Sequence, residues 1–262
     1  MIKNHAVLVT GACINTGVAI VEKFASEGWN VIFTGRTPEK VAIAENEYRK
    51  KYPSVGIYGY VMDSLLDERT VDEKTVVELF ANIDKKGLFV ETVVLNAADQ
   101  GLNMKIFENP LIDFIRVINT NVCWNYFIAE TAARRMKNNG GGSIVFINSN
   151  TAYRAIPNRI AYEASKGAQL GMMRGLALDL GKYNIRVNAV LPGMIKTDRW
   201  EKNPDFYKEV PSRYTPLGEV AVGADIADAV WYFSVSAKNT TGAELVVDGG
   251  NTIQLYPIIP KE

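Results

Sequence analysis

Near the amino terminus, an apolar stretch of strand length runs directly into a glycine-containing turn: residues 5–19 read HAVLVTGACINTGVA. The apolar run ends at Val9, Gly11 and Gly17 follow, and a helix-like pattern begins near Val18. A glycine-rich turn from a strand into a helix lets backbone N–H groups approach a diphosphate at the positive end of the helix. Glycines also shape ordinary tight turns, so the stretch alone admits both interpretations. Its place in the first strand–helix–strand unit favours a dinucleotide site.

The alternation of strands and helices continues along the chain. Strands are predicted at 5–9, 30–34, 56–61, 92–95, 143–148, 185–191 and 245–247. Helices are predicted between them at 18–28, 38–51, 73–86, 110–138, 159–183 and 225–236. Apolar, β-branched strands that alternate with helices are typical of a parallel sheet with helices on both faces. The sequence therefore predicts an α/β, Rossmann-like doubly wound fold of about seven strands.

Residues 1–262 are predicted to form a single dinucleotide-binding domain, because no internal repeat, low-complexity tract or Pro/Gly-rich linker divides them. Two stretches interrupt the alternation of predicted strands and helices. Residues 196–216 carry aromatic side chains among charges and prolines without a clear period, which predicts a lid or substrate loop. The apolar tail 251–262 is expected to be buried in a subunit contact or across the substrate pocket. The aromatic residues of the loop are Trp200, Phe206, Tyr207 and Tyr214.

Composition excludes several classes of protein. The 29 basic residues equal the 29 acidic ones, so neither nucleic acid nor a membrane surface is an expected partner. No apolar run reaches the roughly 20 residues of a membrane span, and no secretory signal is recognised, so we expect a cytoplasmic protein. The cysteines, Cys13 and Cys123, suit a reducing compartment. His5 is the only histidine, which disfavours a Ser/His/Asp triad or a His-rich zinc site, and no metal site is predicted.

The end of the second predicted strand bears on the choice of cofactor. It reads Phe33-Thr34-Gly35-Arg36, where NAD-specific folds place an Asp or Glu that binds the ribose hydroxyls. Gly35 removes that carboxylate, and the guanidinium of Arg36 can bind a 2′-phosphate through two hydrogen bonds. The alternative is a solvated surface arginine. We therefore predict NADP(H).

A candidate acid–base group lies near the start of the predicted helix 159–183. Tyr162 and Lys166 are four residues apart and share one helix face. A nearby ammonium stabilises a phenolate, so we expect Lys166 to lower the pKa of Tyr162 from about 10 toward neutrality. This spacing also arises by chance on helix surfaces. Ser149, at the carboxyl end of a predicted strand, and Asn121, within a long helical stretch, add hydrogen-bonding groups that favour a catalytic site.

Several short motifs occur in the order and at the separations of one enzyme family. They are Thr10-Gly11 with Gly17, Asp63, Asn96-Ala97-Ala98, Asn121, Ser149, Tyr162, Lys166, Pro192-Gly193 with Thr197, and Val247-Asp248-Gly249-Gly250. On these motifs the chain, from residue 5 to about residue 250, resembles the compact single-domain short-chain dehydrogenases/reductases. The resemblance implies an oxidoreductase of the carbonyl reductase or alcohol dehydrogenase kind, which transfers hydride between a nicotinamide and a carbonyl/alcohol pair.

The resemblance also implies a role for each matched catalytic residue. Tyr162 would protonate the substrate oxygen, and Ser149 would orient that oxygen. Lys166 would lower the pKa of Tyr162 and hold the nicotinamide ribose. Asn121 would position a water in a proton relay to Lys166.

The expected cofactor contacts extend from the first turn to the sixth strand. Asp63 and Ser64 would lie near adenine, whereas Ile195 and Thr197 would hold the nicotinamide end. The full expected set is Gly11, Ile14, Asn15, Thr16, Gly17, Arg36, Asp63, Ser64, Asn96, Ala98, Tyr162, Lys166, Pro192, Gly193, Ile195 and Thr197. Two of these depart from the family pattern, because Asn15 and Ala98 both replace glycines. Asparagine tolerates a positive φ, so the turn can survive, whereas Ala98 adds a methyl near the expected adenosine ribose.

Other interpretations remain. A nonenzymatic NADP(H)-binding redox sensor would share the fold but has no need of a proton relay. An epimerase or dehydratase of the extended branch usually has a C-terminal substrate domain, which is not visible here. The pattern admits 3-oxoacyl thioesters, sugars or polyols, and steroids as small-molecule substrates. By resemblance we expect a homo-oligomer, a homotetramer or dimer formed through helices 110–138 and 159–183.

Overall fold

The computed structural model describes residues 5–197, 200, 202, 204 and 209–258. In these residues, seven strands form one parallel sheet in the order β3-β2-β1-β4-β5-β6-β7. The strands are β1 His5–Val9, β2 Asn30–Gly35, β3 Ile57–Val61, β4 Phe89–Leu95, β5 Gly142–Ile147, β6 Ile185–Pro192 and β7 Glu244–Val247. The predicted Rossmann-like fold is confirmed.

Helices connect the strands. They are α1 Asn15–Ser26, α2 Pro38–Lys51, α3 Glu73–Lys85, α4 Leu111–Ile118, α5 Asn125–Asn138, α6 Ile160–Leu180, α7 Val210–Tyr214 and α8 Gly223–Trp231. Local chemistry sets some of their starts: Pro38 occupies the first turn of α2, where its missing N–H costs no hydrogen bond. The Asp72 side chain accepts a hydrogen bond from the Thr75 N–H at the start of α3 (3.1 Å).

Two apolar layers cover the sheet, because successive strand residues point to opposite faces. Leu8 packs in one layer with helices α3, α5 and α6, which contribute Phe80, Ile128 and Met173. Its neighbours on β1, Val7 and Val9, pack in the other layer with side chains of α1, α2 and α8: Ile20, Phe24, Tyr48 and Val230. The alternation buries both faces of the central strands β1, β2, β4, β5 and β6, which fixes their carboxyl ends in place. Within the described ranges, no helix is both long and apolar enough to cross a membrane.

The structure departs from the sequence-based boundaries in two places. The helix predicted over 110–138 is divided into α4 and α5 by a π-helical segment, Asn119–Trp124. The last helix likewise ends in a π-helical segment, Tyr232–Ser236. Such segments insert an extra residue into a helix and often occur at functional sites. The predicted loop 196–216 contains the short helix α7, while Phe206 and Tyr207 lie outside the described residues.

Candidate active site

The strand order reverses direction between β1 and β4, the position at which doubly wound sheets bind ligands. Thr10 and Asn96 follow these two strands and join their ends. The Thr10 hydroxyl accepts hydrogen bonds from the N–H groups of Asn96 and Ala97, both at 3.0 Å. Asn96 Nδ2 donates to the carbonyl oxygens of Thr10 (2.9 Å) and Gly11 (3.0 Å). Asn96 therefore shapes the turn after β1, whichever contacts it makes with a ligand.

The turn between β1 and α1 has the backbone conformation that a phosphate-binding loop requires. Gly11 has φ 65°, and a Cβ there would lie 2.9 Å from Ala97. Asn15 has φ 51°, so asparagine tolerates the positive φ as expected. No side chain caps α1 at its N-cap residue, Ile14, and both Ile14 and Asn15 are exposed. The uncapped N–H groups of this 12-residue helix fit the diphosphate of a dinucleotide.

Gly35 packs too tightly for a carboxylate side chain. A Cβ on this residue would lie 2.4 Å from Cys13 Sγ and 2.9 Å from Val41 Cγ2. Arg36, the next residue, is exposed at the mouth of the turn. Burial raises the pKa of the Cys13 thiol, and the charge of the exposed Lys40 nearby lowers it in part. Two exposed cations, Arg36 and Lys40, therefore follow β2 around the start of α2, and the sequence reasoning named only Arg36.

Asp63 and Ser64 follow β3 on the same side. Asp63 is exposed, and its carboxylate accepts the N–H of Ser64 (2.7 Å). The buried Ser64 hydroxyl lies 3.0 Å from Thr120 Oγ1, in the π-helical segment. Ala98, after β4, is exposed, so its methyl faces open space. Ser64 therefore braces the site, while Asp63 and Ala98 are accessible.

Tyr162, Lys166 and Ser149 come together at the carboxyl end of β5. Tyr162 and Lys166 lie on α6, and Lys166 Nζ is 5.4 Å from the centre of the tyrosine ring. Ser149, which follows β5, lies beside the Tyr162 hydroxyl, whose pKa it lowers as a hydrogen-bonding neighbour, and its Oγ accepts the N–H of Thr151 (3.2 Å). The half-buried tyrosine therefore has its hydroxyl beside the serine, as two groups that bind one substrate oxygen must be.

The expected direction of the tyrosine pKa shift is wrong for the structure. Burial raises the pKa of Tyr162, and the Ser149 hydrogen bond and the Arg159 charge lower it only in part. Lys166 is not among the groups that shift the pKa of Tyr162; its Nζ donates to the Ile147 carbonyl (2.7 Å) and Gln169 Oε1 (3.2 Å). Burial lowers the pKa of Lys166 itself to about 7. Phenol and amine are therefore both held toward their neutral forms.

Asn121 is fully buried in the π-helical segment and ties it to the loop after β4. Its Oδ1 accepts the N–H of Asp99 (2.7 Å), while Nδ2 donates to the Asp99 carbonyl (2.8 Å) and to Ser165 Oγ (2.9 Å). Its carbonyl accepts Gln169 Nε2 (2.7 Å) and Asn125 Nδ2 (2.8 Å). Asn121 therefore joins the loop after β4 to α6, one turn from Tyr162 and Lys166.

Comparison with known proteins identifies the family. The model of a family described as enoyl-(acyl carrier protein) reductase matches residues 11–252. The chain belongs to the short-chain dehydrogenase/reductase family. It is 33% identical to the NADP-dependent (R)-specific alcohol dehydrogenase of Lentilactobacillus kefiri, over 97% of this chain and 98% of that protein. The chain is thus an oxidoreductase of a family that uses nicotinamide cofactors.

Solved structures of the family are similar over nearly the whole fold. The structure of ElxO with NADP bound has a TM-score of 0.82 at 28% identity, covering 95% of this chain and 99% of ElxO. The structure of NAD⁺-bound xylitol dehydrogenase has a TM-score of 0.81 at 28% identity, with the same coverages. The similar structures therefore include both an NADP-bound and an NAD⁺-bound short-chain dehydrogenase/reductase.

The family's Pro-Gly motif lies where β6 ends. Pro192 is buried, and the Gly193 N–H donates to the Val247 carbonyl (3.0 Å). A Cβ on Gly193 would lie 2.5 Å from that of Asp248, so only glycine permits this approach. Ile195 pairs with Ala221, and Thr197 lies two residues further on, at the start of the predicted loop 196–216. The motif thus fixes the start of the loop beside the site.

The described part of the tail runs back toward this loop. Arg154 donates to the carbonyls of Thr252 (2.9 and 2.6 Å) and Gln254. Gln254 Nε2 and the Ile258 N–H each donate to the Arg213 carbonyl at 2.8 Å. The tail therefore joins the loop after β5 to α7. The sequence-based expectation named a subunit contact or a cover over the substrate pocket, but not these contacts within the chain.

Asp99 and Gln169 are also residues that sequence reasoning missed. Asp99 forms an ion pair with Arg116, and its Oδ1 accepts the N–H of Gly101 (2.9 Å). It thus fixes the loop to which Asn121 binds. Gln169 is one helical turn after Lys166, so helical spacing alone could have drawn attention to it.

Proposed function

We propose that the protein catalyses the NADP(H)-dependent interconversion of a carbonyl and a secondary alcohol, with Tyr162 as general acid/base. The observation that carries the proposal is the juxtaposition of Tyr162 with Lys166 Nζ, 5.4 Å from the centre of its ring, and with Ser149 beside its hydroxyl at the carboxyl end of β5. The NADP-dependent alcohol dehydrogenase among its relatives supports the same reaction.

The residues around the cleft would divide the binding of NADP(H) between them. The uncapped start of α1 would bind the diphosphate, and Arg36 and Lys40 would pair with the 2′-phosphate. Gly35, which leaves no room for a carboxylate, supports NADP(H) over NAD(H). Lys166 would hold the nicotinamide ribose, and Ile195 and Thr197 the nicotinamide end. When bound, the nicotinamide supplies or accepts a hydride.

The chain's own groups would handle the proton. In carbonyl reduction, Tyr162 donates its phenolic proton to the substrate oxygen while Ser149 donates a hydrogen bond to the same oxygen. The raised pKa keeps that proton on Tyr162 at neutral pH, which is the form a general acid needs. The sequence-based idea of a lowered tyrosine pKa is therefore not needed for reduction.

A screen of ketones that follows the loss of NADPH absorbance tests this function. We expect turnover of at least one ketone, and Tyr162→Phe should lower kcat by about 10²-fold or more while NADPH binding stays near wild type. Tyr183→Phe, at a half-buried tyrosine near the start of β6, is the matched control and should retain kcat. NADPH binding without oxidation by any ketone would instead support the redox sensor.

We also propose a single domain over residues 1–262 and a cytoplasmic homo-oligomer, a tetramer or dimer, formed through α4, α5 and α6. Their long exposed faces carry apolar residues such as Leu111 (72% exposed) and Leu178 (83% exposed). Sedimentation at micromolar concentration tests the assembly. A species with the mass of one chain would contradict it.

A further inference from the structure

A buried side-chain amide spans the distance between Asn121 and Lys166. Gln169 is 1% exposed, its Nε2 donates to the Asn121 carbonyl (2.7 Å), and its Oε1 accepts from Lys166 Nζ (3.2 Å). We propose that the Gln169 amide takes the place of the water that the family resemblance implies here and fixes the Lys166 ammonium. Gln169 is then a positioning residue that acts through Lys166, an inference that rests on the proposed function.

The Asn121 carbonyl has no acceptor site left for a water. A carbonyl oxygen has two lone pairs, and here Gln169 Nε2 and Asn125 Nδ2 (2.8 Å) use both. The Asn121 side chain is also occupied, because it binds the Asp99 backbone and Ser165. The bridge to Lys166 therefore passes through Gln169.

The orientation of the Gln169 amide is set by its neighbours. Asn148 Nδ2 donates to Gln169 Oε1 (3.1 Å) and to the Lys166 carbonyl (2.9 Å). Gln169 Oε1 accepts hydrogen bonds from Asn148 and Lys166, and Gln169 Nε2 donates one to the Asn121 carbonyl. Only one orientation of the amide satisfies all three partners. Asn148 Oδ1 also accepts the N–H of Ser149 (2.8 Å). One network thus joins Ser149, Lys166 and Asn121.

This arrangement changes the role of Lys166. Water both donates and accepts through one oxygen, whereas an amide donates only from nitrogen and accepts only at oxygen. The bridge through Gln169 holds the ammonium but does not transfer its proton toward Asn121. Lys166 therefore acts on this side as an amino group held in a fixed position beneath Tyr162, not as one member of a water-linked relay.

The titration of Lys166 tests the contact directly and does not depend on turnover. In the full-length protein labelled with ¹³C-lysine, the Lys166 signal is assigned by its loss in Lys166→Met. Gln169→Glu is nearly isosteric and sets a carboxylate beside the ammonium, so the Lys166 pKa should rise by about 1 unit or more. Gln169→Leu removes the acceptor and should lower it by about 0.5 unit.

Met173→Leu, one turn further along the same buried face of α6, is the matched control for packing and should leave the titration unchanged. Titrations of both Gln169 variants within about 0.3 unit of wild type would overturn the proposal. If Gln169→Leu does not fold, the direction of the Gln169→Glu shift decides.

Kinetics separate this inference from the proposed function. We expect Gln169→Leu to lower kcat about tenfold, with the alkaline limb of its pH profile at lower pH, and Gln169→Glu to move that limb to higher pH. Turnover with unmoved titrations contradicts only the role of Gln169. Moved titrations in a protein that reduces no ketone contradict only the proposed function.

Discussion

The Thr10 hydroxyl accepts the backbone N–H of Asn96 (3.0 Å), and Asn96 Nδ2 donates to the Thr10 carbonyl (2.9 Å). This reciprocal pair joins the carboxyl ends of β1 and β4, 86 residues apart in sequence. Both central strands end at the cleft. The two hydrogen bonds therefore fix the edge of the sheet from which the turn between β1 and α1 begins. The Thr10 side chain is fully buried and also accepts the N–H of Ala97.

Thr10→Val should therefore destabilise the fold. Valine keeps the shape but leaves the N–H groups of Asn96 and Ala97 without their acceptor, at a cost of about 1–3 kcal/mol for each that stays buried. Thr92→Val is the matched control, because Thr92 is equally buried and its hydroxyl has no hydrogen-bond partner among the described residues. Urea denaturation should show a loss of about 2 kcal/mol or more for Thr10→Val and little change for Thr92→Val. Equal effects would contradict the assignment.

The left-handed backbone at Asn15 yields a second prediction. With φ 51°, Asn15→Gly should preserve NADPH binding, whereas Asn15→Val places a β-branched side chain in a conformation that costs about 1–2 kcal/mol. We expect Kd for NADPH to rise about fivefold or more in the valine variant and to stay within about threefold in the glycine variant. Asn184→Val, at a residue with φ 59° outside the site, should lower the stability of the protein without raising the Kd for NADPH. Valine and glycine variants with equal affinity at residue 15 would refute this.

The sheet was predictable because each strand is a short apolar, β-branched run that must be buried on both faces. The boundaries of β1 and α2 match the predicted ones, and the glycine turn lies where the first strand ends. The order of strands follows from parallel connections between consecutive strands and a single reversal. These features depend on local pattern, which the sequence contains.

Other features depend on contacts between distant residues. The π-helical segment at Asn121 arises where its side chain binds the Asp99 backbone, which helical periodicity does not reveal. The raised pKa of Tyr162 results from burial by the whole fold. In the sequence, Gln169 resembles any other polar residue of α6; only its hydrogen bonds to Asn121 and Asn148 in the folded protein distinguish it. Tertiary hydrogen bonds therefore decide the details of the site.

Arg36 should govern the choice between cofactors. A guanidinium that binds the 2′-phosphate contributes about 1.5–3 kcal/mol, so Arg36→Ala should lower kcat/KM for NADPH about 10- to 100-fold. The kcat/KM for NADH should change by less than about threefold, because NADH lacks that phosphate. Arg134→Ala, at an exposed arginine of α5, is the control and should alter neither value. An equal loss with both cofactors would show that Arg36 does not bind the phosphate.

Lys166 should make stability depend on pH. Burial lowers its pKa from 10.5 to about 7, so between these values the unfolded chain binds a proton that the folded chain does not. The free energy of unfolding should therefore rise with pH across this window, by up to about 1.4 kcal/mol per pH unit. The cost of the buried ammonium is fully present below about pH 7.

The comparison with Lys166→Met isolates this effect. The variant should be more stable than wild type near pH 6.5, and the difference should shrink toward pH 9.5, which is still below the ordinary tyrosine pKa of about 10. Urea denaturation at several pH values measures it. Lys74→Met, at an exposed lysine of α3, should show a difference that is independent of pH. A constant difference for Lys166→Met would contradict the lowered pKa.

Arg154 should control the tail without affecting the cofactor. Its guanidinium binds the carbonyls of Thr252 and Gln254, and Gln254 in turn reaches the Arg213 carbonyl in α7, at the end of the predicted substrate loop. Arg154→Ala removes these donors, so hydrogen exchange of residues 252–258 should accelerate about fivefold or more. Because the tail links the loop after β5 to α7, KM for the ketone should rise while Kd for NADPH stays near wild type.

The control is Arg174→Ala, which removes an exposed arginine whose partner, Glu244 (2.9 Å), lies in β7 and not in the tail. It should leave both hydrogen exchange of the tail and KM unchanged. Because the lost bonds of Arg154 are only partly buried and hold the tail rather than the core, the melting temperature should change little in either variant. Faster exchange with an unchanged KM would show that the tail is held by Arg154 but does not shape the substrate site; unchanged exchange would contradict the anchoring itself.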